Sequence, residues 1–503
     1  MIHRKISFYK LPLLVVLVYV VMFGILFRDF NKGLWWDEAS FLIVVKEIVG
    51  QKVCGSETNR SWEWARFPGY PLTLAPFVLL FGLNLSVLRI LQTVFMIVSL
   101  CFLYLLASEL YGKKVASISI ILLSTSWIVM FYWLRLLAHI EAMAIAILAI
   151  YLFYTGWFRN SPIRLALAGL VLGFMYLLRI EAIPIILGLL IFLIITEKLS
   201  FFKQKKFYIL VGTFLIPFTS YQLWQYHRFG DVFYQERLIY ELVREMNESY
   251  FAYFEMLPHV IAGSMFGIHI TLLIFIIGLV YIILHYKEKK YLLLAVLFIF
   301  YLLTTSLSPH HEDRYLIPIL PVTFLIISIA IVLITNTVVK QEHYRVALSF
   351  LLTIFLSYLS LSYGWPIIRI KAPTYSVTLE ASKELNKLPN TYVIVPFSVE
   401  APHPQLCLFA ENKIFLKLPV FENLSSEENF NLLLQLAREK DALIYYAFPY
   451  DGDVDYLTLR RFFTLYGFDE TSYSKWLEKT GLEIVRILRE ETGALVIIYR
   501  VKK

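Results

Sequence analysis

Charge is scarce in this sequence. Of 503 residues, 17% are charged and 59% are hydrophobic, whereas soluble domains run about 45–50% apolar. That balance excludes a chain stable in water and points to one built for a bilayer. Cysteine is scarcer still. The three present, Cys54, Cys101 and Cys407, form no CxxC pair, which argues against a disulfide scaffold or a zinc site. Cys101 lies inside an apolar run and reads as a small packed hydrophobe. Cys54 and Cys407 can pair only if they face one compartment. There is no internal repeat, and the tail after residue 365 has no glycine-rich phosphate loop and no clustered His, Cys and Asp. The net charge of +8 implies no nucleic-acid partner. In a membrane protein the question is where the positive residues lie.

What is present is a series of long apolar runs. Eleven are long enough to span, at about 20 residues each. They fall near 10–27, 86–108, 115–133, 137–156, 163–179, 181–197, 207–226, 260–284, 291–308, 315–337 and 346–364. The first follows a basic start and has no cleavage site after it, so it reads as a membrane helix rather than a signal peptide. PLTLAPFVLLFG (71–82) is too short and is expected to lie in the interface or re-enter. With the N-terminus in the cytoplasm, the cytoplasmic connections are YGKK (111–114), FRNSPIR (158–164), EKLSFFKQKK (197–206), YKEKK (286–290) and KQEHYR (340–345). All are basic-rich, as the positive-inside rule requires. The long segments 28–85, 227–259 and 366–503 then lie outside.

The expected fold is therefore a polytopic α-helical membrane domain, 1–365, followed by a soluble extracytoplasmic α/β domain, 366–503. In the first outer loop, 28–85, the stretch 39–49 reads as a helix flat on the membrane, with Lys46 and Glu47 on its polar side. The stretch 235–254 is also amphipathic. In the tail, helical patterns at 376–388 and 427–440 alternate with strand-like runs at 391–398, 413–420, 442–448 and 494–501. That alternation suggests a mostly parallel sheet, and about 135 residues suffice for a separate core.

Ionisable groups at a membrane are costly and need a reason. Four sequence-distant sets converge on the expected outer face. They are Asp37 and Glu38 in NKGLWWDEAS; Arg135, His139 and Glu141; Arg179 and Glu181 in LLRIEAIP; and His310, His311, Glu312, Asp313 and Arg314 in SPHHEDRYLIP. Each has a bland reading. Arg135 can be a snorkelling anchor, Arg179 with Glu181 a structural ion pair, and Asp37–Glu38 a helix cap favoured by the dipole. Together they fit transfer of a group from a lipid phosphate to an alcohol. Arginine pairs with phosphate, a carboxylate takes the acceptor's proton, and Arg and His stabilise the leaving phosphate. No metal is required by such a site, and a divalent metal is left open, since Asp and His also ligate metals.

The order and sidedness of these motifs resemble the GT-C superfamily of membrane glycosyltransferases over residues 8–365. WWDE after the first helix resembles the start of their catalytic outer loop. GLVLGFMYLLRIEAIPIILG (169–188) is similar to a helix pair common among them, and SPHHEDRYLIPILP (308–321) to the His-x-x-x-Arg-Tyr/Phe-Leu-x-Pro signature of lipid-linked mannosyltransferases. The resemblance is strongest to the protein-mannosyltransferase and aminoarabinose-transferase-like branch. It implies a polyprenyl-phosphate-linked sugar donor, with a hexose such as mannose transferred to a lipid, glycan or protein hydroxyl at the outer membrane face. It further implies Asp37 as general base with Glu38 assisting, Arg314 with His310 or His311 on the donor phosphate, and Arg135 and Arg179 as further phosphate ligands. His139, Glu141, Glu181, Glu312 and Asp313 are supporting candidates. The oligosaccharyltransferase motif WWDYG stands elsewhere in its own family, which sets that branch aside. The competing reading is a transporter or flippase of lipid-linked sugars, disfavoured by the lack of repeats and of midplane charges.

Overall fold

The computed structural model describes residues 10–51, 53, 55–56, 65–244, 252–263, 265–308, 310–372, 376–396, 404–418, 426–448, 481–489 and 495–501. They divide into two compact units: Met1–Phe27, Ala65–Leu74 and Leu83–Arg369 in the first; Arg28–Trp64, Ala75–Gly82 and Ile370–Lys503 in the second.

The first unit is helical. Among the described residues, six helices are long and apolar enough to cross a membrane: Leu85–Tyr111, Ala138–Phe158, Ala182–Lys203, Lys205–Phe229, Asp313–Val338 and the helix that starts at Glu342. A seventh span arises if Lys113–Thr125 and Trp127–Trp133, which meet at 60°, count as one. Eleven spans, the number expected from the sequence, are not reached by this measure. Helix length is one reason. Pro162–Leu178 and Lys289–Thr305 have 17 residues each, a rise of about 26 Å against a hydrocarbon core of about 30 Å. The runs at 10–27 and 260–284 are also helical, in Lys10–Phe30 and in Ala252–Ala262 followed by Met265–Leu284. The expected short segment forms the helix Gly69–Phe81. Of the expected helix 235–254, Tyr234–Val243 is observed, and 245–251 lie outside the described residues.

Local chemistry explains the bend at Ser126. Its extended backbone breaks the helical ladder, which in an apolar setting must be repaired by other partners. Ser360 Oγ takes the Trp127 N–H at 2.9 Å, and the Trp127 indole donates to His259 O at 2.9 Å. Close packing is equally specific where Pro162–Leu178 meets Lys205–Phe229. Gly169 and Gly173 stand one turn apart and form a small-xxx-small contact. A Cβ on Gly169 would sit 2.1 Å from Thr213 Oγ1 and 2.2 Å from Leu210 O; one on Gly173 would sit 2.3 Å from Pro217 Cγ. Gly169→Val is therefore expected to lower the melting temperature in detergent, with overpacking costing about 1–3 kcal/mol. Gly212→Val, where a Cβ meets nothing within 4 Å, is the control that should melt like the wild type.

In the second unit, the described residues of 28–56 join their secondary structure to that of the tail. The helix Trp36–Ile48 packs on the helix Pro404–Phe409, and the Leu34 N–H donates to Gln405 Oε1 at 2.6 Å. Lys46, expected on a solvent-facing side, is buried. Its ammonium pairs with Glu411 and donates to Leu408 O at 3.3 Å. The sheet contains β1 (Gly55–Ser56), β2 (Tyr392–Pro396), β3 (Ile414–Leu418), β4 (Leu443–Phe448), β5 (Leu482–Arg489) and β6 (Leu495–Val501), in the order β1-β3-β2-β4-β6-β5. The first four strands run parallel; β4–β6 and β6–β5 pair antiparallel. The helices Ser376–Lys387 and Ser426–Glu439 fall where the pattern predicts. Cys407 is disulfide-bonded and Cys101 is free; Cys54 lies outside the described residues.

Candidate active site

The first cluster begins at a tight turn. The helix Pro162–Leu178 ends because Arg179 is extended, and the next helix starts within three residues, with Ala182 N bonded to Arg179 O at 3.1 Å. This spacing sets Arg179 beside Glu181 in a two-pronged pair: Nε to Oε2 at 2.9 Å and Nη2 to Oε1 at 2.5 Å. Burial opposes the guanidinium charge, but the Glu181 carboxylate more than offsets it and raises the Arg179 pKa. The third prong, Nη1, reaches His139 Nε2 at 2.7 Å. A guanidinium has only donors, so Nε2 accepts and the neutral ring carries its proton on Nδ1. That Nδ1 is buried and has no hydrogen-bond partner among the described residues.

The second cluster comes from 310–319. Residues 310–312 are irregular and lead into the 3-10 turn Asp313–Ile319, after which Pro321 opens the helix Leu320–Val338. Glu312 Oε1 is its hub. It lies 2.5 Å from Arg314 Nη2, 3.0 Å from His310 Nε2 and 3.1 Å from the Tyr315 hydroxyl. Asp313 accepts from the Tyr132 hydroxyl at 3.0 Å. Tyr301 donates to Tyr315 O at 2.6 Å and pins the turn.

Tyr315 joins the two clusters. The Arg179 guanidinium lies 5.1 Å from its ring centre and that of Arg314 5.8 Å, both within cation–π range. The His139 ring stacks on it at 6.2 Å and 12°. The structure thus gathers His139, Arg179, Glu181, His310, Glu312 and Arg314 around one aromatic ring, with Asp313 alongside. Tyr315 and Tyr132 were not among the residues expected from the sequence, although Tyr315 directly follows Arg314 in the motif.

Other expected residues take different positions. His311 is buried, lies 3.3 Å from Ser306 O through Nε2 and packs edge-on against Tyr253. Glu141 is buried, with Thr73 Oγ1 at 2.8 Å from its Oε1. Arg135 is buried with its guanidinium 5.6 Å from the Phe131 ring centre. Arg89, not anticipated, donates to Leu134 O, and Gln92 Nε2 reaches Leu137 O at 3.3 Å; together they brace the connection that leads to His139. Among the described residues, no three His, Cys, Asp or Glu side chains are grouped to hold a metal.

In the second unit, the helix Trp36–Ile48 makes Trp35 its N-cap, Asp37 the second helical residue and Glu38 the third. Glu38 is fully buried, and its Oε2 accepts the Trp35 N–H at 2.7 Å. This is the reciprocal half of a capping box. Asp37 is half-exposed. The bland reading therefore holds for Glu38, and the two acids have different settings.

Residues 66–224, which carry Arg135, His139, Glu141, Arg179 and Glu181, match the family model dolichyl-phosphate-mannose-protein mannosyltransferase. In fold the chain is similar to ArnT from Cupriavidus metallidurans bound to undecaprenyl phosphate, with TM-score 0.62 and 10% identity over 96% of this chain and 97% of that one. The chain has the GT-C fold. The GT-C likeness extends to the Archaeoglobus fulgidus oligosaccharyltransferase tethered with an acceptor peptide (TM-score 0.57, 11% identity, 99% of this chain and 74% of that one). It extends also to the archaeal oligosaccharyltransferase AglB from Archaeoglobus fulgidus in complex with an inhibitory peptide and a dolichol-phosphate (TM-score 0.54, 11% identity, 100% of this chain and 75% of that one). No curated protein matches it in sequence.

Proposed function

We propose that this GT-C protein is an inverting glycosyltransferase that moves a sugar, a hexose such as mannose, from a polyprenyl-phosphate donor to a hydroxyl of a lipid, glycan or protein at the extracytoplasmic face of the cell membrane. The observation that carries this reading is the pair of arginines, Arg179 and Arg314, which come from distant segments and are held against one tyrosine ring. Paired guanidiniums at the ends of membrane helices suit a lipid phosphate. The likeness to ArnT bound to undecaprenyl phosphate and to AglB with dolichol-phosphate supports the same class of donor.

In this reading Asp37 takes the proton from the acceptor hydroxyl. The acceptor oxygen forms its bond to the anomeric carbon as the bond from that carbon to the phosphate oxygen breaks, and the electron pair leaves on the lipid phosphate. Arg314 and Arg179 stabilise the charge that develops there. His310 shares the Glu312 carboxylate with Arg314, and the Nδ1–H of His139 is available as a further donor. A single displacement inverts the anomeric centre. Glu38 secures the helix that carries Asp37.

The test is transfer of labelled sugar from polyprenyl-phosphate donors by the purified protein in proteoliposomes. Release of free polyprenyl phosphate in step with labelled product is expected. Movement of the intact lipid-linked sugar across the bilayer, without cleavage, would instead establish the flippase. Arg314→Ala is expected to raise the donor KM at least about tenfold while leaving the acceptor KM near the wild-type value, since truncating a charged partner costs about 2 kcal/mol or more.

A further inference from the structure

A site for phosphate is ordinarily rich in positive charge. This one is not. Glu181 occupies two prongs of Arg179, Glu312 engages Arg314, and Asp313 follows directly in the chain. Among the described residues, the two arginines that face Tyr315 are thus each engaged by a carboxylate before any ligand arrives. The acids are not equivalent. Both Glu181 oxygens are taken by Arg179, and its side chain is 10% exposed. Glu312 concentrates three donors on one oxygen, and its side chain is 29% exposed against 13% for Arg314. Glu312 is thus the acid most open to whatever approaches Arg314.

The donor and the lipid product of the proposed reaction differ at phosphorus in one respect that this acid can sense. A phosphodiester joining a sugar to a polyprenyl chain carries one negative charge. The monoester left after the sugar departs carries between one and two near neutral pH, because its second ionisation lies near pH 6. We infer that Glu312 makes the arginine cluster selective for the singly charged diester over the more highly charged monoester, so that the site holds its donor and releases its product. This inference rests on the glycosyl-transfer reading and deepens it. The mechanism is electrostatic: a second phosphate charge brought to Arg314 also meets the Glu312 carboxylate, and like charges a few ångströms apart in a partly buried site repel appreciably.

The experiment is equilibrium binding without turnover. The full-length protein in lipid nanodiscs is titrated with two probes, a polyprenyl phosphate and a polyprenyl methyl phosphodiester, for wild type, Glu312→Gln and Glu312→Asp. The wild type is expected to bind the diester more tightly. Glu312→Gln should tighten the monoester by about tenfold, equivalent to 1.4 kcal/mol, and shift the diester by less than about threefold. Glu312→Asp, which keeps the charge, should preserve the wild-type preference, and its binding shows that a change at this position is tolerated. An unchanged monoester-to-diester ratio in Glu312→Gln, with both lipids still bound, would overturn the role of Glu312 and leave the transfer reading intact. Binding of neither lipid by the wild type would overturn the transfer reading and this inference with it.

Discussion

Asp37→Asn is expected to lower sugar transfer by about 10²–10⁴-fold, the range that a positioned general base contributes, without a comparable loss of stability. Asp37 is the second residue of its helix and half-exposed. An acid there gains only about 0.3–1 kcal/mol from the helix dipole, and asparagine keeps the shape. Its neighbour should behave in the opposite way. Glu38 is buried and accepts the N-cap N–H, so Glu38→Ala strands that donor and is expected to cost about 0.5–2 kcal/mol of stability. Measuring initial transfer rates and melting temperatures on the same preparations separates the two acids. Wild-type turnover by Asp37→Asn would remove it from the role of base. A loss of rate in Glu38→Ala that is fully recovered under stabilising conditions would confirm that Glu38 acts by holding the helix.

The contrast between these adjacent acids indicates how far the sequence could be read. That carboxylates precede an apolar helical run was legible, and so was the possibility of a cap. Which of the two serves as the cap was not, because that depends on whether the helix starts at Trp36 or at Glu38, a difference within the ordinary uncertainty of helix ends. The pair His310–His311 has the same origin. Glu312 is extended, with φ −128° and ψ 148°, and in extended chain alternate residues share a side. His310 accordingly meets Glu312, while His311 turns to Ser306 O and Tyr253. Two neighbouring histidines looked equivalent in sequence because the local backbone was unknown.

Charge clusters were legible because ionisable residues stand out against apolar helices. Tyr315 did not stand out, since 33 tyrosines are spread through the chain and its place between Arg179, Arg314 and His139 exists only after three distant segments fold together. Lys46 shows the reverse case. A lysine on an amphipathic pattern reads as solvent-facing, and its partner Glu411 lies 365 residues away. The spans follow from apolar length, yet a run of apolar residues does not report that a helix stops at 17 residues or bends at Ser126.

Arg179→Met should be the most destabilising single change in the cluster, and its repair decides what the arginine is for. The side chains of Arg179 and Glu181 are 16% and 10% exposed. Removing the guanidinium leaves a largely buried carboxylate without its two-pronged partner, and breaking such a pair by deleting one member costs about 3–5 kcal/mol. It also removes the donor that fixes the His139 ring. Replacing both members, Arg179→Met with Glu181→Leu, removes the stranded charge, and apolar pairs of similar volume are often no less stable than the ions they replace. The double variant should therefore recover most of the lost melting temperature. Its activity is the informative quantity. If Arg179 holds the donor phosphate, the double variant is folded and yet shows a donor KM raised at least about tenfold. If the pair is only an internal brace, restoring the fold restores the donor KM as well, and the phosphate contact falls to Arg314 alone.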